Sequence, residues 1–417
     1  MKVLVLGAGL IGTATAWYLQ KAGHEVTVVD RQAGPGLETS FANGAQISVS
    51  HAEPWANPGA PKQILQWLLR EDAPLLFRLR ADPAQWRWGL AFLRECLPAR
   101  TARNIAQIVR LGLYSRACLQ ALRRDLGLHY DELTKGILYF YTHREDFEAA
   151  REPARIMQDY GCDLRLLGAD EAVAIEPALA HRRDRIAGAS YSPDDESGDA
   201  FQFTQQLAAR AAQAGAQFRY EMSIEALAAA AGCIDGVRVR PVSGGQIETL
   251  RADAYVLALG SYSPLLARPL GLRLNVYPAK GYSVTCPVAD PARASTVSLT
   301  DDRYKLVFSR LGDRLRVAGT AELAGYDTGL NEVRCQAILR RTQYLFPGAV
   351  DASRAQFWAG LRPATPSNVP YIGRTRYGNL FLNTGHGTLG WTHACGSGSA
   401  LADIISGRKP EVDFAFC

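Results

Sequence analysis

The chain has 417 residues, of which 47% are hydrophobic and 21% are charged, and its formal net charge is +5. This is ordinary globular usage, so it excludes a disordered, collagen-like or coiled-coil protein, and the weak, scattered positive charge argues against nucleic acid as a partner. At about 150 residues per domain, the chain is long enough for two or three domains. A chain of this length can form a hydrophobic core that needs neither metal nor disulfide for its stability.

Residues 2–30 predict a complete βαβ unit. An apolar run at 3–6 is typical of a buried parallel strand, residues 14–23 have a helical pattern that ends at a glycine, and a second apolar run at 26–29 ends in Asp30. The loop between the first strand and the helix contains Gly7, Gly9 and Gly12. A GxGxxG loop alone is a weak signal, but in this context it indicates a dinucleotide-binding site.

Each part of this motif has a physical role in holding a dinucleotide. Gly7 allows a tight turn, Gly9 lets the backbone approach a pyrophosphate, and Gly12 lets the helix and strand pack closely. The helix N-terminus, at Leu10 and Ile11, supplies free N–H groups and the positive end of the helix dipole for the phosphates.

Asp30 is expected to accept hydrogen bonds from the hydroxyls of an adenosine ribose. An acidic residue at this place argues against a 2′-phosphate, although the neighbouring Arg31 leaves NADP open.

The remaining elements follow without repeats or low-complexity linkers, so we expect two domains that are interleaved along the chain. In chain order they are helices over 61–127, a strand at 136–141, a short helix and a strand within 164–192, a polar loop at 192–199, a helix at 202–215, a strand at 217–220, two strands within 236–260, strands over 277–317, a helix at 331–346, a strand at 380–383 and a helix to about 405. The eight cysteines lack metal-binding spacing, so we predict no metal and free thiols in a reducing compartment. No apolar run reaches about 18 residues, so we predict no transmembrane helix and a cytoplasmic location.

Three later features favour FAD over NAD as the dinucleotide. The first is a loop of hydroxyls, amides and small residues that suits a diphosphate and ribityl chain; its candidate cofactor residues are Glu38, Thr39, Ser40, Asn43, Gly44, Gln46 and Ile47. The second is a strand that ends in a small-residue turn at Gly260. The third is a glycine-rich loop before the C-terminal helix, where a helix N-terminus would stabilise negative charge on a reduced flavin; its candidates are Gly385, His386, Gly387, Thr388, Leu389 and Gly390.

Motifs along the whole chain carry a resemblance to a known family. They are GAGLIGTATAWYLQKAGHEVTVVDR, ETSFANGAQIS, PWANPG, GDAFQFTQ, ADAYVLALGSYS, VYPAKGYS, WAGLRPATPSNVPYIGRT and NLFLNTGHGTLGWTHACGSG. On these motifs, which cover essentially residues 1–410, the chain resembles the flavin-dependent amine and amino-acid oxidoreductases of the D-amino-acid oxidase and glycine oxidase family.

The resemblance implies an α/β (α+β) fold in which a Rossmann-like FAD-binding domain is interleaved with a mixed β-sheet cap domain that binds the substrate. The expected FAD-binding segments are 1–60, 198–264 and 355–417, and the expected cap segments are 61–197 and 265–354. The resemblance also assigns Ile224 and Arg362 to the cofactor's surroundings. Relatives that bind flavin covalently use a cysteine just before the TP turn, whereas this chain has Gly360 near that place, so non-covalent FAD is expected.

The activity that the resemblance implies is oxidative deamination of free D-amino acids, D-alanine among them, to 2-oxo acids and ammonia. A hydride would pass from Cα to flavin N5, and the electrons would leave to a quinone or another respiratory acceptor. Such a reaction depends mostly on positioning and electrostatics and needs no strong general base.

The substrate carboxylate needs a cation, and arginine gives it bidentate geometry. Arg362 is the first candidate, because the GLRP segment lies beside the flavin in this family, and a structural ion pair is the alternative. Lys280 is the second candidate, either for the carboxylate or near flavin N5 through water. Further candidates, each of which could instead be structural, are Tyr282, Tyr304, His51 and His386. Where this subgroup of the family carries a tyrosine after ISPG, the chain has Val49-Ser50-His51, which leaves the substrate range open.

The tryptophan- and arginine-rich helices at 61–110, which include Trp67 and Leu68, fit two interpretations. Basic amphipathic helices bind anionic membrane surfaces, which would place the protein peripherally on the cytoplasmic face of the inner membrane; ordinary cap helices have the same pattern.

Three other functions stay open at this point. One is a flavin oxidase or dehydrogenase of the same fold that acts on glycine, sarcosine, proline or hydroxyproline. The second is an NAD-dependent dehydrogenase, and the third is a flavin-binding subunit without catalysis.

Overall fold

The computed structural model describes residues 1–67 and 73–417. Within them the helices are α1 (Leu10–Lys21), α2 (Ala60–Trp67), α3 (Pro83–Glu95), α4 (Pro98–Leu126), α5 (Arg144–Ala149), α6 (Arg151–Asp159), α7 (Ala169–Ile175), α8 (Ala200–Gln213), α9 (Ser263–Ala267), α10 (Glu332–Leu345) and α11 (Gly390–Ile405). The strands are β1 (Lys2–Leu6), β2 (Glu25–Val29), β3 (Gln46–Ile47), β4 (Leu75–Phe77), β5 (Ile137–Tyr141), β6 (Arg165–Leu167), β7 (Gly188–Ser192), β8 (Glu196–Ser197), β9 (Gln217–Arg219), β10 (Met222–Ala230), β11 (Cys233–Pro241), β12 (Glu248–Leu250), β13 (Ala254–Leu257), β14 (Tyr277–Pro287), β15 (Ser298–Asp301), β16 (Leu306–Leu311), β17 (Arg314–Leu323), β18 (Gln356–Ala364), β19 (Tyr371–Arg374) and β20 (Leu380–Thr384).

A six-stranded sheet in the order β19-β20-β13-β1-β2-β9 forms the first half of the molecule. Its pairs are parallel except for β19 with β20. Successive side chains of a strand point to opposite faces, so Val3 and Val5 pack with α1, α8 and α11, while Leu4 and Leu6 pack against the antiparallel sheet β10-β11-β12. Both faces of the parallel strands are therefore buried, which explains their uninterrupted apolar sequences.

A nine-stranded mixed sheet forms the second half. Eight of its strands follow the order β18-β14-β17-β16-β15-β5-β7-β6, and β4 pairs with β17. Helix α10 covers one face through Cys335, Ile338 and Leu339, which join a buried core with Val284 and Val317 of the sheet. The opposite face is left to line a cavity.

These two halves confirm the predicted fold class, an α/β (α+β) architecture in which a Rossmann-like sheet is interleaved with a mixed sheet. The N-terminal βαβ unit, the strand at 136–141, the helices at 202–215 and 331–346 and the C-terminal strand and helix are all confirmed, with ends that differ by a few residues at most.

Two segments pack with the other half of the molecule from the one in which they were expected. Strand β18 was expected in the FAD-binding part (355–417), but it pairs with β14 along its whole length at the edge of the nine-stranded sheet. Helix α4 was expected in the cap, but Leu111 and Leu119 on this helix pack into the core beside the six-stranded sheet. Apolar periodicity locates such elements without showing which sheet they join.

The predicted polar loop at 192–199 is mostly buried, and β8 within it pairs with β3. Its polar residues are internal hydrogen-bond partners: the buried Asp195 carboxylate accepts from the backbone N–H groups of Val49 and Ser50 and from the Ser50 hydroxyl.

The helical part of the 61–110 segment is interrupted by the short strand β4, which the sequence did not predict. Leu68 and the side chain of Trp67 lie outside the described residues. Across 1–67 and 73–417, none of the helices combines the length and the apolar character that crossing a bilayer requires.

Candidate functional site

A cavity of about 1050 Å³ lies between the two sheets. One wall is the carboxyl edge of the six-stranded sheet, where Gly9 follows β1, Asp30 follows β2 and Gly260 follows β13. The other wall is the uncovered face of the nine-stranded sheet, including Thr300 and Val307. Ligands of open α/β sheets bind at the carboxyl ends of the strands, and this volume is at the upper end for ligand pockets.

The glycine loop has the geometry that a pyrophosphate needs. Gly7 has a φ of +109°, and a Cβ there would lie 2.7 Å from the carbonyl oxygen of Ala258; a Cβ on Gly12 would overlap the Gly7 carbonyl. Gly9 differs, because the nearest atom to its Cβ position is the Ser40 hydroxyl at 3.8 Å. A side chain at Gly9 would therefore enter the cavity, whereas one at Gly12 would collide with the protein itself.

Asp30 shapes this loop as well as facing the cavity. Its carboxylate accepts the backbone N–H of Ala8 at 2.6 Å and that of Gln32 at 2.8 Å. Burial raises the pKa of the Asp30 carboxyl, and the two backbone donors oppose that rise. Arg31 is held by Glu38 at 2.6 Å, so its charge is already neutralised, which disfavours a 2′-phosphate at this position.

The loop from 38 to 46 ties the glycine loop to the nine-stranded sheet. The Ser40 hydroxyl accepts the N–H of Leu10 at 3.1 Å, Thr39 donates to the carbonyl of Leu361 at 2.9 Å, and the Gln46 amide donates to Ser298 at 2.9 Å. The predicted cofactor residues that line the cavity are Gly7, Gly9, Leu10, Ile11, Asp30, Arg31, Glu38, Thr39, Ser40, Asn43, Gly44, Gln46, Ile224, Gly260, Arg362, His386, Gly387, Thr388, Leu389 and Gly390.

Three predicted cofactor residues do not line the cavity. Ile47 is fully buried in the core with α1 and α8, because the alternation along β3 turns its side chain away from Gln46. Gly12 lies at the contact between helix and strand, and Gly385 forms the turn after β20 with a φ of +83°. Both glycines shape the walls without facing the ligand space.

The C-terminal loop brings a buried histidine to the cavity. His386 is 2% exposed, and neither of its ring nitrogens has a hydrogen-bond partner among the described residues. Burial, with His393 nearby, holds the pKa of His386 well below its ordinary value, so the ring is neutral. Buried polar atoms are nearly always hydrogen-bonded, so these nitrogens are suited to a polar ligand in the cavity.

Arg362 is a half-buried cation in the cavity wall. Its guanidinium donates to the carbonyl oxygens of Thr320 at 2.7 Å and Gly319 at 3.5 Å, and no carboxylate of the described residues pairs with it. Burial lowers the pKa of Arg362 to about 10, with Arg334 adding to the shift, and the group stays charged at neutral pH. A half-buried charge without a counter-ion loses part of its hydration, so this site favours an anionic ligand.

The prediction for Lys280 is wrong, because Lys280 does not line the cavity. Its ammonium donates to Asp327 at 2.8 Å and to the carbonyl of Gly329 at 3.0 Å, with Glu322 at 3.5 Å, and the side chain is 2% exposed. The pairing of β14 with β17 shifts register next to Lys280, which pairs with Glu322, whereas Tyr282 pairs with Gly319. Lys280 is therefore the buried cation of an ion-pair cluster with the buried Glu322 and the exposed Asp327.

The two predicted tyrosines have different surroundings. Tyr282 lines the cavity, but its hydroxyl donates to Glu322, so the oxygen faces the Lys280 cluster. Tyr304 lies outside the cavity in the turn after β15; it is 47% exposed and its ring stacks under Arg341 at 4.0 Å. The prediction of Tyr304 as a catalytic hydroxyl is therefore wrong.

His51 lines the cavity, with its ring stacked on Tyr139 at 5.4 Å. Burial lowers the pKa of His51 to about 4, and Lys305 adds to the shift. Glu53, which the sequence did not predict as a site residue, lies in the same wall, and burial raises its pKa to about 7. The position of Glu53 two residues after a candidate histidine was the one local signal that could have found it.

The comparisons with known proteins agree with this geometry. A family model described as FAD dependent oxidoreductase (DAO) matches residues 2–404. A D-amino acid dehydrogenase of Dechloromonas aromatica is 61% identical over 416 residues, covering 100% of this chain and 99% of the relative, and one of Paramagnetospirillum magneticum is 56% identical, covering 99% and 96%. Among solved structures, the L-proline dehydrogenase of P. horikoshii superposes with a TM-score of 0.75 at 19% identity, covering 99% of this chain and 95% of that one.

The chain therefore belongs to the DAO family of FAD-dependent oxidoreductases. It is an enzyme of that class with FAD as its cofactor, which confirms the resemblance seen in the sequence. The residues of this structure fit that cofactor: Gly9 leaves a cradle that a Cβ would fill, and His386 offers unpartnered polar atoms to the same cavity. Both of these relatives are named D-amino acid dehydrogenase.

Proposed function

We propose that this enzyme oxidises free D-amino acids, D-alanine among them, to 2-oxo acids and ammonia. The observation that carries the proposal is Arg362, a half-buried cation in the cavity wall whose hydrogen-bonding partners are backbone carbonyls rather than a carboxylate. A free amino acid supplies the missing anion, and a guanidinium binds a carboxylate through two parallel hydrogen bonds. The names of the relatives support the choice of the D series.

Bound FAD supplies the acceptor for the hydride that leaves Cα, while the chain's own residues position the substrate. Arg362 anchors the carboxylate, and the neutral His386 borders the ligand without adding a second charge. None of the eight cysteines, all within the described residues, is among those that line the cavity, which supports non-covalent FAD. The amine must be neutral when the hydride leaves, and the resulting imine is hydrolysed by water to the oxo acid.

The electrons are proposed to leave to a quinone at a membrane surface. Supporting this, three apolar residues of α3 are more than half exposed and share one helical face, namely Trp86, Leu90 and Leu93, and Leu97 just after the helix is also more than half exposed. Arg87 and Arg94 are interspersed among them, a pattern that suits an anionic bilayer surface. The opposite face of α3 carries Phe92, which lines the cavity, so this helix connects the proposed membrane face with the flavin site.

Anaerobic flavin bleaching tests the proposed reaction. The purified enzyme is mixed with D-amino acids, L-amino acids, glycine, sarcosine and L-proline in separate runs. The proposal predicts bleaching by D-amino acids, slow reoxidation in air and fast reoxidation by a soluble quinone. Bleaching only by L-proline, glycine or sarcosine would assign a different substrate to the same fold, and fast reoxidation in air would assign oxygen as the acceptor.

A further inference from the structure

A group of polar side chains lies where the segment after β3 passes the turn between β15 and β16. We call it the Glu53 corner, and its members are His51, Glu53, Tyr139, Asp302 and Lys305. All five line the cavity. Their chemistry is not used by the flavin-binding residues or by Arg362, so the corner needs an explanation of its own.

Within this corner, Glu53 differs from Asp302 in that its carboxylate is not part of an ion pair with the described residues. Lys305 is already paired with Asp302, at 2.6 Å, and His51 is stacked on Tyr139. No donor of the described residues forms a hydrogen bond or ion pair with Glu53, although its side chain is only partly exposed to solvent. Such a carboxyl group is free to accept hydrogen bonds from a ligand in the cavity.

The Glu53 corner lies beside the proposed carboxylate anchor. The Gly319 carbonyl accepts from Arg362, Gly319 pairs with Leu306 on the neighbouring strand, and a Cβ on Gly319 would touch the carbonyl of Lys305. Neighbouring strands are about 4.8 Å apart. A small molecule whose carboxylate is at Arg362 can therefore reach the turn that carries Asp302 and Lys305.

Resting on the proposed function, we infer that the Glu53 corner receives the side chain of the amino-acid substrate. Glu53 then favours side chains that end in a cation or a hydrogen-bond donor over those that end in a carboxylate. The physical reason is that an ionised carboxylate only accepts hydrogen bonds, and a cationic donor makes that bond about twice as strong as a neutral one.

The ionisation of Glu53 makes this preference depend on pH. Burial raises the pKa of Glu53 to about 7, Lys305 opposes that rise and Asp302 adds to it. Among the described residues, the titratable groups that interact electrostatically with Glu53 are Tyr139, Tyr141, Asp302 and Lys305, and His51 interacts with the last two. Since the carboxyl group gains its charge as pH rises through about 7, the preference for cationic side chains should grow over the same interval.

The test compares kcat/KM for D-lysine with kcat/KM for D-alanine, using an artificial electron acceptor, in the FAD-loaded wild-type enzyme and Glu53→Gln. We expect the ratio of D-lysine to D-alanine to fall about tenfold in Glu53→Gln, and the ratio of D-glutamate to D-alanine to rise. Glu411→Gln, an exposed position outside the cavity, is the matched control and should leave both ratios unchanged.

The pH profile of the wild-type enzyme gives a second test that does not depend on the variant's folding. The ratio of D-lysine to D-alanine should rise through about pH 7. The inference would be overturned if the ratio of D-lysine to D-alanine did not change with pH and had the same value in the wild type and in Glu53→Gln. If D-alanine still bleached the flavin in that case, the proposed function would stand. If no D-amino acid bleaches the flavin, the proposed function falls and this inference falls with it.

Discussion

At the scale of single residues, the cavity is organised around the way Arg362 is held. Thr320, whose carbonyl accepts from the guanidinium, has a φ of +54°, which is strained for a β-branched residue. Its hydroxyl oxygen is buried and has no hydrogen-bond partner among the described residues. Strain and an unsatisfied polar atom beside the same cation are typical of a ligand-binding site, because the surrounding structure tolerates them for the sake of geometry.

Gly281 provides the space that this guanidinium occupies. A Cβ at Gly281 would overlap the Arg362 guanidinium, so Gly281→Ala must displace it. We expect KM for D-alanine to rise at least about tenfold, since a buried charged contact is weakened. Flavin content should be unchanged, because Gly281 belongs to the nine-stranded sheet, whereas the glycine loop follows β1 of the six-stranded sheet.

The measurement is steady-state kinetics together with the flavin-to-protein absorbance ratio. Gly89→Ala on α3, where a Cβ meets nothing within 4 Å, is the control and should behave like the wild type. A normal KM in Gly281→Ala would show that the position of Arg362 does not matter to substrate binding.

At the scale of elements, two glycines of the glycine loop have different roles that the sequence motif does not distinguish. Gly9→Val should give a folded but colourless protein, because its side chain would enter the space of the pyrophosphate. Gly12→Val should fail to fold well, because its side chain collides with the Gly7 carbonyl. Circular dichroism, thermal unfolding and flavin absorbance distinguish the two outcomes, and stoichiometric FAD in Gly9→Val would contradict the phosphate-loop assignment.

The exposed apolar face of helix α3 is expected to bind anionic lipid. Replacing the exposed Leu90 and Leu93 by aspartate should abolish sedimentation with anionic phospholipid vesicles, because it removes apolar area and adds negative charge. Dye-linked oxidation of D-alanine should be retained, since both side chains point away from the cavity. Replacing the exposed Leu79 in the same way serves as the control for added charge alone. Unchanged vesicle binding of the double variant would show that this face of α3 is not the membrane contact.

Elements whose structure depends on neighbouring residues were predictable from the sequence, whereas contacts between distant segments were not. The βαβ unit and the C-terminal loop were predictable because their turns, helices and strands depend on residues close together in the chain. Lys280 was misplaced because the alternation along β14 turns its side chain to the face that carries Tyr282 and Val284, which α10 covers. Glu53 was missed because its surroundings are built by β5 and the β15–β16 turn, which are distant in sequence.

At the scale of the whole molecule, the cavity depends on both sheets. The loop from 38 to 46 links them through Thr39 and Gln46, and Trp88 of α3 donates to the carbonyl of Ala364 at the end of β18. The nucleotide wall and the substrate wall therefore come from segments that alternate along the chain. This arrangement lets one half hold the cofactor while the other presents Arg362 and the Glu53 corner to the amino acid.

The proposed function depends on recognition of the carboxylate of a free amino acid by Arg362. Its most direct test is anaerobic stopped-flow reduction of the flavin by D-alanine and by D-alaninamide, in the wild-type enzyme and in Arg362→Met. We expect the amide to react about 100-fold less efficiently than D-alanine with the wild type, and Arg362→Met to use both equally poorly, because the same ion pair is lost in each case. If Arg362→Met still preferred D-alanine by the wild-type factor, the carboxylate would be bound elsewhere and the claim would be contradicted.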